Sequence, residues 1–393
     1  MTSRFASSAS AWAVAATLLA GITAAHAELA VSANDGKQVR DNDVVNGPQP
    51  DSISVLDITP QGVKKLGQLA APACMIGSPT AVAVAKDSSF ALVTACEKTQ
   101  GKELVANDTG AVVDLSDPAH PRVIQTFHTG ERPGGVSISP DGSMALVANA
   151  DSDSISVFTI TGKTMHPAGR VHLPQGSGPH DVVFTPDGKT AIAVGRYNSR
   201  LMILTVNGRI VKYTGRMIAT GINPYGAVVT HDGKYVINTN LGGVLPPPGE
   251  KPKPHAHSVV TISDIATGKV AQTVDVGPTS EHIFMSADGS RIGVVVANGA
   301  ASVRSDPSWD KVTGILEVYR VGDGTLTPAG RTSIGHWCQG GTFSRDGKTV
   351  LVQCAAEREI EVFHYDGTSL TQDKAATLAM PARPGSIATA YSR

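Results

Sequence analysis

PGGVSISPDGSMALVANADSDSISVFTI, residues Pro133 to Ile160, decides the fold. Apolar residues alternate on either side of Asp141-Gly142, and an Asp-Gly pair between alternating runs predicts a tight hairpin. A short polar loop and a third alternating run follow. The same pattern returns at PHDVVFTPDGKTAIAVGRYNSRLMILTV from Pro179, PYGAVVTHDGKYVINTN from Pro224, SEHIFMSADGSRIGVVVAN from Ser280 and QGGTFSRDGKTVLVQC around Gly340. A weaker copy, PTAVAVAKDSSFALVTAC, starts at Pro79. The hairpins centre on Asp87, Asp141, Asp187, Asp232, Asp288 and Asp346, at periods of 45 to 58 residues. Such a period marks a repeat architecture.

Each repeat continues into a third strand (Ile155 to Ile160, Leu201 to Val206, Ser258 to Ile265, Ile315 to Val321, Ile360 to Tyr365). A fourth follows at Arg170 to Leu173, Arg216 to Ala219, Val270 to Val276 and Arg331 to Ile334. Four short antiparallel strands make one propeller blade. Six hairpins give six blades, and the ends supply the seventh. Ala382 to Tyr391 matches only an inner strand, Glu28 to Asp35 a second, Asp51 to Thr59 a third and Val63 to Leu69 a fourth. The expected fold is therefore an all-β, seven-bladed β-propeller of four-stranded antiparallel blades. One C-terminal strand and three N-terminal strands close the last blade, which leaves no open sheet edge between the ends.

Residues 1–27 read as a secretory signal peptide. Arg4 is the charged start, Ala11 to Ala25 is apolar, and Ala25-His26-Ala27 is a small-x-small cleavage site. Residues 28–393 are then one propeller domain, and no further run is long enough to span a membrane. Export predicts a periplasmic location. An oxidising compartment admits disulfides, with Cys74–Cys96 and Cys338–Cys354 the favoured local pairs. No CxxCH or CxxC occurs, so covalent haem and thioredoxin-like chemistry are excluded. A formal net charge of −1 without a basic stripe argues against nucleic acid. No nucleophile elbow, HExxH, P-loop or dinucleotide fingerprint is present.

The beginnings of the inner strands should converge on the central channel. They carry Thr80, Arg132, His180 with Asp181, Tyr225, Glu281 with His282, His336 with Trp337, and Arg383. Histidine and carboxylate suit general acid–base work or a metal, and arginine suits a carbonyl or anionic oxygen. His282 falls one register from His180, whereas Glu281 aligns with it. His255-x-His257 is a weaker metal pair in a loop rich in proline and lysine. Long connections at Asp35 to Pro50, Glu97 to Thr109, Leu241 to His257 and Gly299 to Thr313 should wall the same mouth.

The repeat SPDGSMALVANADSDSISVFTI resembles the YVTN-type repeat of exported seven-bladed propellers, and the chain is similar to the wider lactonase-like group. GPHDVVFTPDG (Gly178 to Gly188) resembles that group's histidine-bearing repeat, which implies an active-site role for His180. Where the group carries an arginine and a glutamate, this chain has Tyr225 and Asn240, so the constellation is incomplete unless Arg196, Glu281 or Arg132 substitutes. SANDGK…GPQPDSISVLD (Ser32 to Asp57) looks like exported gluconolactonase-type propellers.

The resemblance implies hydrolysis of an unphosphorylated sugar lactone by water. His180 or Glu281 would be the base, and Arg132, Arg196 or Arg383 would stabilise the oxyanion. Asp181, Tyr225, His282, His336, Arg383 and Asn240 would contact substrate. No cofactor is required, and a divalent metal through His180, His282 or His336 is admitted. The alternatives are a non-catalytic periplasmic scaffold whose long loops meet an envelope protein, and a metal or redox accessory protein. A scaffold should have a shallow mouth, mutually satisfied polar groups and no strongly shifted pKa.

Overall fold

The computed structural model describes Met1 and residues 28–392, apart from 38–39, 42–43, 46–49, 60–61, 76, 78, 102 and 244–256. The signal-peptide stretch and His255 lie outside the described residues. Seven antiparallel sheets form the ring. Blade 1 contains Val82–Val84, Phe90–Gln100, Glu103–Asp114 and Arg122–His128. Blade 2 contains Pro133–Ile138, Met144–Asn149, Ser154–Thr161 and Thr164–His172. Blade 3 contains Pro179–Phe184, Thr190–Gly195, Arg200–Asn207 and Ile210–Ala219. The inner strands of blades 4, 5 and 6 are Pro224–Val229, Ser280–Met285 and Cys338–Phe343. Blade 7 pairs Arg383–Thr389 with Glu28–Asp35, then Ser52–Thr59 and Gly62–Ala70. The expected closure by one C-terminal and three N-terminal strands is therefore the observed one.

The hairpin turns share one local chemistry. Asp141 Oδ1 accepts from the Ser143 amide at 3.0 Å and from the Ser139 hydroxyl at 2.6 Å. Asp187, Asp232, Asp288 and Asp346 repeat both bonds. These bonds hold each of the five carboxyls below its usual range; at Asp288 and Asp346 they outweigh an opposing desolvation. The following glycine supplies the left-handed backbone, as at Gly142 with φ of 74°. Between blades the faces pack as small apolar clusters, such as Leu146, Ile155, Val182 and Ala193.

Two expectations need correction. The segment Glu97 to Thr109 is not a loop: the second and third strands of blade 1 run on through it, pairing Glu97 with Ala106 and Thr99 with Leu104. Its residues are polar because this extension stands clear of the core. The fourth strands are also longer than expected. Thr164–His172 replaces Arg170 to Leu173, because an exposed, bulged outer strand lacks an apolar signature. Both disulfides, Cys74–Cys96 and Cys338–Cys354, are present, and the second joins residues directly paired across an inner hairpin. Among the described residues no helix is long and apolar enough to cross a membrane.

Candidate active site at the channel mouth

The inner strands enter the ring in a repeated way. Arg132, Gly178, Asn223, Thr279 and Trp337 precede them with φ between 46° and 64°. Each of these residues offers its carbonyl to the residue just after the second strand, namely Ala150, Arg196, Leu241, Ala297 and Ala355. Register then slips near the start of each strand, between Pro179 and Asp181 in blade 3 and between Ser280 and His282 in blade 5. His180 and Glu281 occupy the slipped position, with no partner on the second strand. A bulge of this kind re-aims a side chain, here towards the channel. Arg196 stands out because the other four blades carry alanine or leucine at its position.

The geometry around His180 is closely determined. Its Nδ1 lies 2.9 Å from the Gly178 carbonyl oxygen, so Nδ1 carries the proton and donates. Its Nε2 faces Arg196 Nη1 at 3.3 Å and accepts. Burial, reinforced by the Arg196 charge, holds the imidazole down at about 3. The Arg196 guanidinium lies 5.1 Å from the Tyr225 ring centre and 5.8 Å from that of Tyr197. His180 packs between the same two rings, at 5.5 Å from Tyr197 and 5.8 Å from Tyr225. Arg196 Nε is buried without a hydrogen-bond partner. Such an orphaned donor is costly unless an oxygen from a ligand or water completes it.

Glu281 lies close enough to this cluster to interact electrostatically with Arg196 and Tyr225. Burial pushes its carboxyl up to about 7, against the opposing charge of Arg196. Burial also raises the Tyr225 phenol, helped by Glu281. His180, Arg196, Tyr225 and Glu281 therefore form one cluster drawn from blades 3, 4 and 5. Tyr197 completes it, a residue that sequence reasoning passed over; its ring lies against Gly178, where an added Cβ would come within 2.2 Å.

The other candidates are held by partners of their own, although Arg132 is close enough for its charge to act on His180. Asp181 Oδ2 accepts from the Ala227 amide of the next blade at 3.0 Å. His282 Nδ1 accepts from the Gly341 amide of its next blade, also at 3.0 Å. Ser386 Oγ does the same for Ala81 at 3.2 Å. These three residues are clasps between successive inner strands. Asn240 is buried inside blade 4, where its amide donates to the Val259 carbonyl and bonds Asn238. Asn34 and Asn149 do equivalent work in blades 7 and 2.

Arg132 reaches the mouth, but its guanidinium is held by Glu97 at 2.5 Å and Asp151 at 2.8 Å. His336 bonds Glu357 at 2.5 Å and the Trp309 carbonyl at 2.7 Å, and it stacks on the Trp309 ring. Arg383 lies over Trp337 at 4.8 Å and reaches the Ser302 carbonyl. The loop from Gly299 to Thr313 is thereby tied to blades 6 and 7. His257 is exposed. The metal set His180, His282 and His336 does not converge, and no group of three or more metal-ligating side chains occurs among the described residues.

A family model described as "Lactonase, 7-bladed beta-propeller" matches residues 44–265, more than half of the chain. No curated protein matches in sequence. Among solved structures, a putative 6-phosphogluconolactonase from Bacteroides fragilis is 18% identical with a TM-score of 0.69, over 93% of this chain and 99% of that one. The periplasmic gluconolactonase of Pseudomonas aeruginosa is 17% identical with a TM-score of 0.66, over 92% and 99%. A hypothetical selenium-binding protein from Sulfolobus tokodaii is 12% identical with a TM-score of 0.63, over 93% and 94%. At these identities the likeness to solved structures is one of fold. By the family match, this chain is a member of the lactonase family of seven-bladed β-propellers.

Proposed function

We propose that the protein is an exported lactonase that hydrolyses an unphosphorylated sugar lactone at the channel mouth. The observation that carries this reading is the Arg196–Glu281 pair: a half-buried guanidinium whose Nε is buried and unmet, near a buried carboxyl that burial pushes up to about 7. A general base works best with a pKa near the working pH. Glu281 meets that requirement, and His180, held at about 3 with Arg196 against its lone pair, does not. His180 is therefore a positioning residue for Arg196.

In this mechanism Glu281 takes a proton from water as the water oxygen bonds the lactone carbonyl carbon. The carbonyl π electrons move onto oxygen, where Arg196 stabilises them. Collapse of that oxyanion breaks the ring C–O bond, and the departing alkoxide takes the proton back from Glu281. The product is the open-chain hydroxy acid. No step is routed through a metal, because the candidate ligands do not converge.

Export rests on the expected leader in residues 1–27 and on two disulfides, which suit an oxidising compartment. A periplasmic gluconolactonase among the fold neighbours is consistent with the same placement. The scaffold alternative is disfavoured by the shifted groups at the mouth. The test is opening of glucono-δ-lactone from mildly acidic pH up to about pH 8, corrected for the spontaneous rate, with and without EDTA. Acceleration that Glu281→Gln abolishes supports the enzyme. A folded protein that accelerates no sugar lactone would sink this reading in favour of a scaffold.

A further inference from the structure

The turn that follows the second strand of blade 3 carries Tyr197 directly after Arg196. Its amide donates to the Ser177 carbonyl at 3.1 Å, and its ring stands at 77° to the His180 imidazole. The lack of a side chain at Gly178 admits that ring: a Cβ there would come within 2.2 Å of Tyr197 Cδ2 and 2.5 Å of Cε2. One edge of the phenol is therefore packed against the strand entrance. Even so, 44% of the residue is left exposed.

A second apolar side chain stands nearby. Ile222 lies in the connection from blade 3 to the inner strand of blade 4 and is 48% exposed. The Asn223 amide donates to Ser199 Oγ at 3.4 Å, which joins this connection to the turn that bears Tyr197. The Gly242 amide donates to the Ile222 carbonyl at 3.0 Å and fixes it in place. Apart from Met1, the other exposed large hydrophobic residues described are Val123, Ile124, Ile210, Met217 and Val270. All of them lie on outer strands, at the circumference of the ring. Single exposed apolar residues are ordinary. Two on joined turns, beside His180 and Arg196, make an apolar step at the edge of a polar site, as ligand sites commonly have.

A pyranose ring matches such a step. Its hydroxyls point outwards, and its C–H bonds give at least one face an apolar character. The face of an aromatic ring carries negative charge density and attracts those weakly positive hydrogens. Tyrosine offers this area with few rotatable bonds to freeze. The Arg196 guanidinium lies 5.8 Å from the Tyr197 ring centre, within the reach of one six-membered lactone and its exocyclic oxygen.

We propose that Tyr197, with Ile222 beside it, is the platform on which the C–H face of a six-membered sugar lactone rests while Arg196 holds the carbonyl oxygen. The assignment rests on the lactonase reading and deepens it, because it specifies the ring form of the substrate. Tyr197 touches no reacting atom. It holds substrate and transition state alike, so it sets KM and leaves kcat alone. Ring opening removes the flat C–H face, so hydrolysis itself loosens the grip on the product.

The test combines kinetics on glucono-δ-lactone with NMR of the non-hydrolysable glucono-δ-lactam. Tyr197→Leu is expected to raise KM about tenfold with kcat within about twofold of wild type, and Tyr197→Phe to restore the wild-type KM. Ile222→Ser, on the other turn, is expected to raise KM about threefold and serves if the leucine variant does not fold. By NMR, the C–H protons on one face of the lactam should shift upfield on binding to wild type and to Tyr197→Phe. Those ring-current shifts should vanish with Tyr197→Leu.

A merely structural Tyr197 would behave differently: its loss would lower kcat and move the His180 nitrogen resonances at unchanged KM. That result would overturn the proposal. So would a lactam that fails to bind wild type at millimolar concentration, or one that binds without upfield shifts. A wild type without lactone turnover would defeat the lactonase reading, while the lactam shifts decide the platform separately.

Discussion

His180 and Arg196 are joined through a shared carbonyl. The Arg196 amide and His180 Nδ1 both donate to Gly178 O, at 3.2 Å and 2.9 Å, while Arg196 Nη1 returns to His180 Nε2 at 3.3 Å. The imidazole is thereby fixed as one neutral tautomer, and the guanidinium is aimed by it.

The tautomer is directly measurable. Nitrogen-detected NMR should find His180 protonated at Nδ1 and bare at Nε2, unchanged from pH 8 to pH 5. Because burial depresses the imidazole in the folded state, protonation favours the unfolded chain. This contribution to stability is intact above the unfolded value of about 6.5 and is lost progressively as pH falls from there towards 3. A His180 signal titrating between pH 6 and 7 would contradict the buried pairing.

Arg196 should be more sensitive than its exposure suggests. Arg196→Gln is expected to fold and to lose about 100-fold in kcat, because one preorganised donor to a developing oxyanion is removed. Arg132→Gln, by contrast, breaks an ion pair with Glu97 and Asp151, so thermal denaturation should register it more than kcat does.

Glu281 makes opposite demands on activity and stability. If it is the base, kcat/KM rises with pH and levels above about 7, where the carboxyl is ionised. Stability runs the other way. A carboxyl raised from 4.5 to about 7 on folding costs nothing at acid pH, and its penalty grows as pH rises through that window. Glu281→Gln should therefore be inactive yet more stable than wild type at pH 8, by roughly 3 kcal/mol, and equal to it near pH 4. Urea titrations at the two pH values provide the check.

Between blades 5 and 6, Gly293 faces the ring of Phe284, where an added Cβ would come within 2.2 Å. Phe284 in turn packs on Phe343 at 5.1 Å. Gly293→Ala should cost about 2 kcal/mol by overpacking, seen as a lower urea midpoint with an unchanged slope.

The ring was legible because its defining chemistry is local. A serine or threonine two residues before Asp-Gly closes the same turn five times, and the short apolar runs on either side read as strands. The clustering of His180 with Glu281 was legible for a related reason, since equivalent strand starts in successive blades must converge. What could not be read lies in contacts between distant segments. Arg132 looks like a free cation at the mouth until Glu97, carried there by a hairpin extension, neutralises it. Asp181 and His282 look like site residues until the amides of the next blades are found on them. Tyr197 carries no motif, and only the fold brings its ring to His180.

The meeting of Arg383–Thr389 with Glu28–Asp35 has a temporal meaning. Those strands are far apart in sequence, so the three strands from Glu28 to Ala70 wait without their inner neighbour until Arg383–Thr389 arrives. Ring closure consequently cannot precede the synthesis of Arg383–Thr389. Deleting residues 383–393 should leave a chain that collapses but never gains resistance to proteolysis. In this arrangement the inner strand of blade 7 acts as a latch, and the ring is sealed only once Arg383–Thr389 is in place.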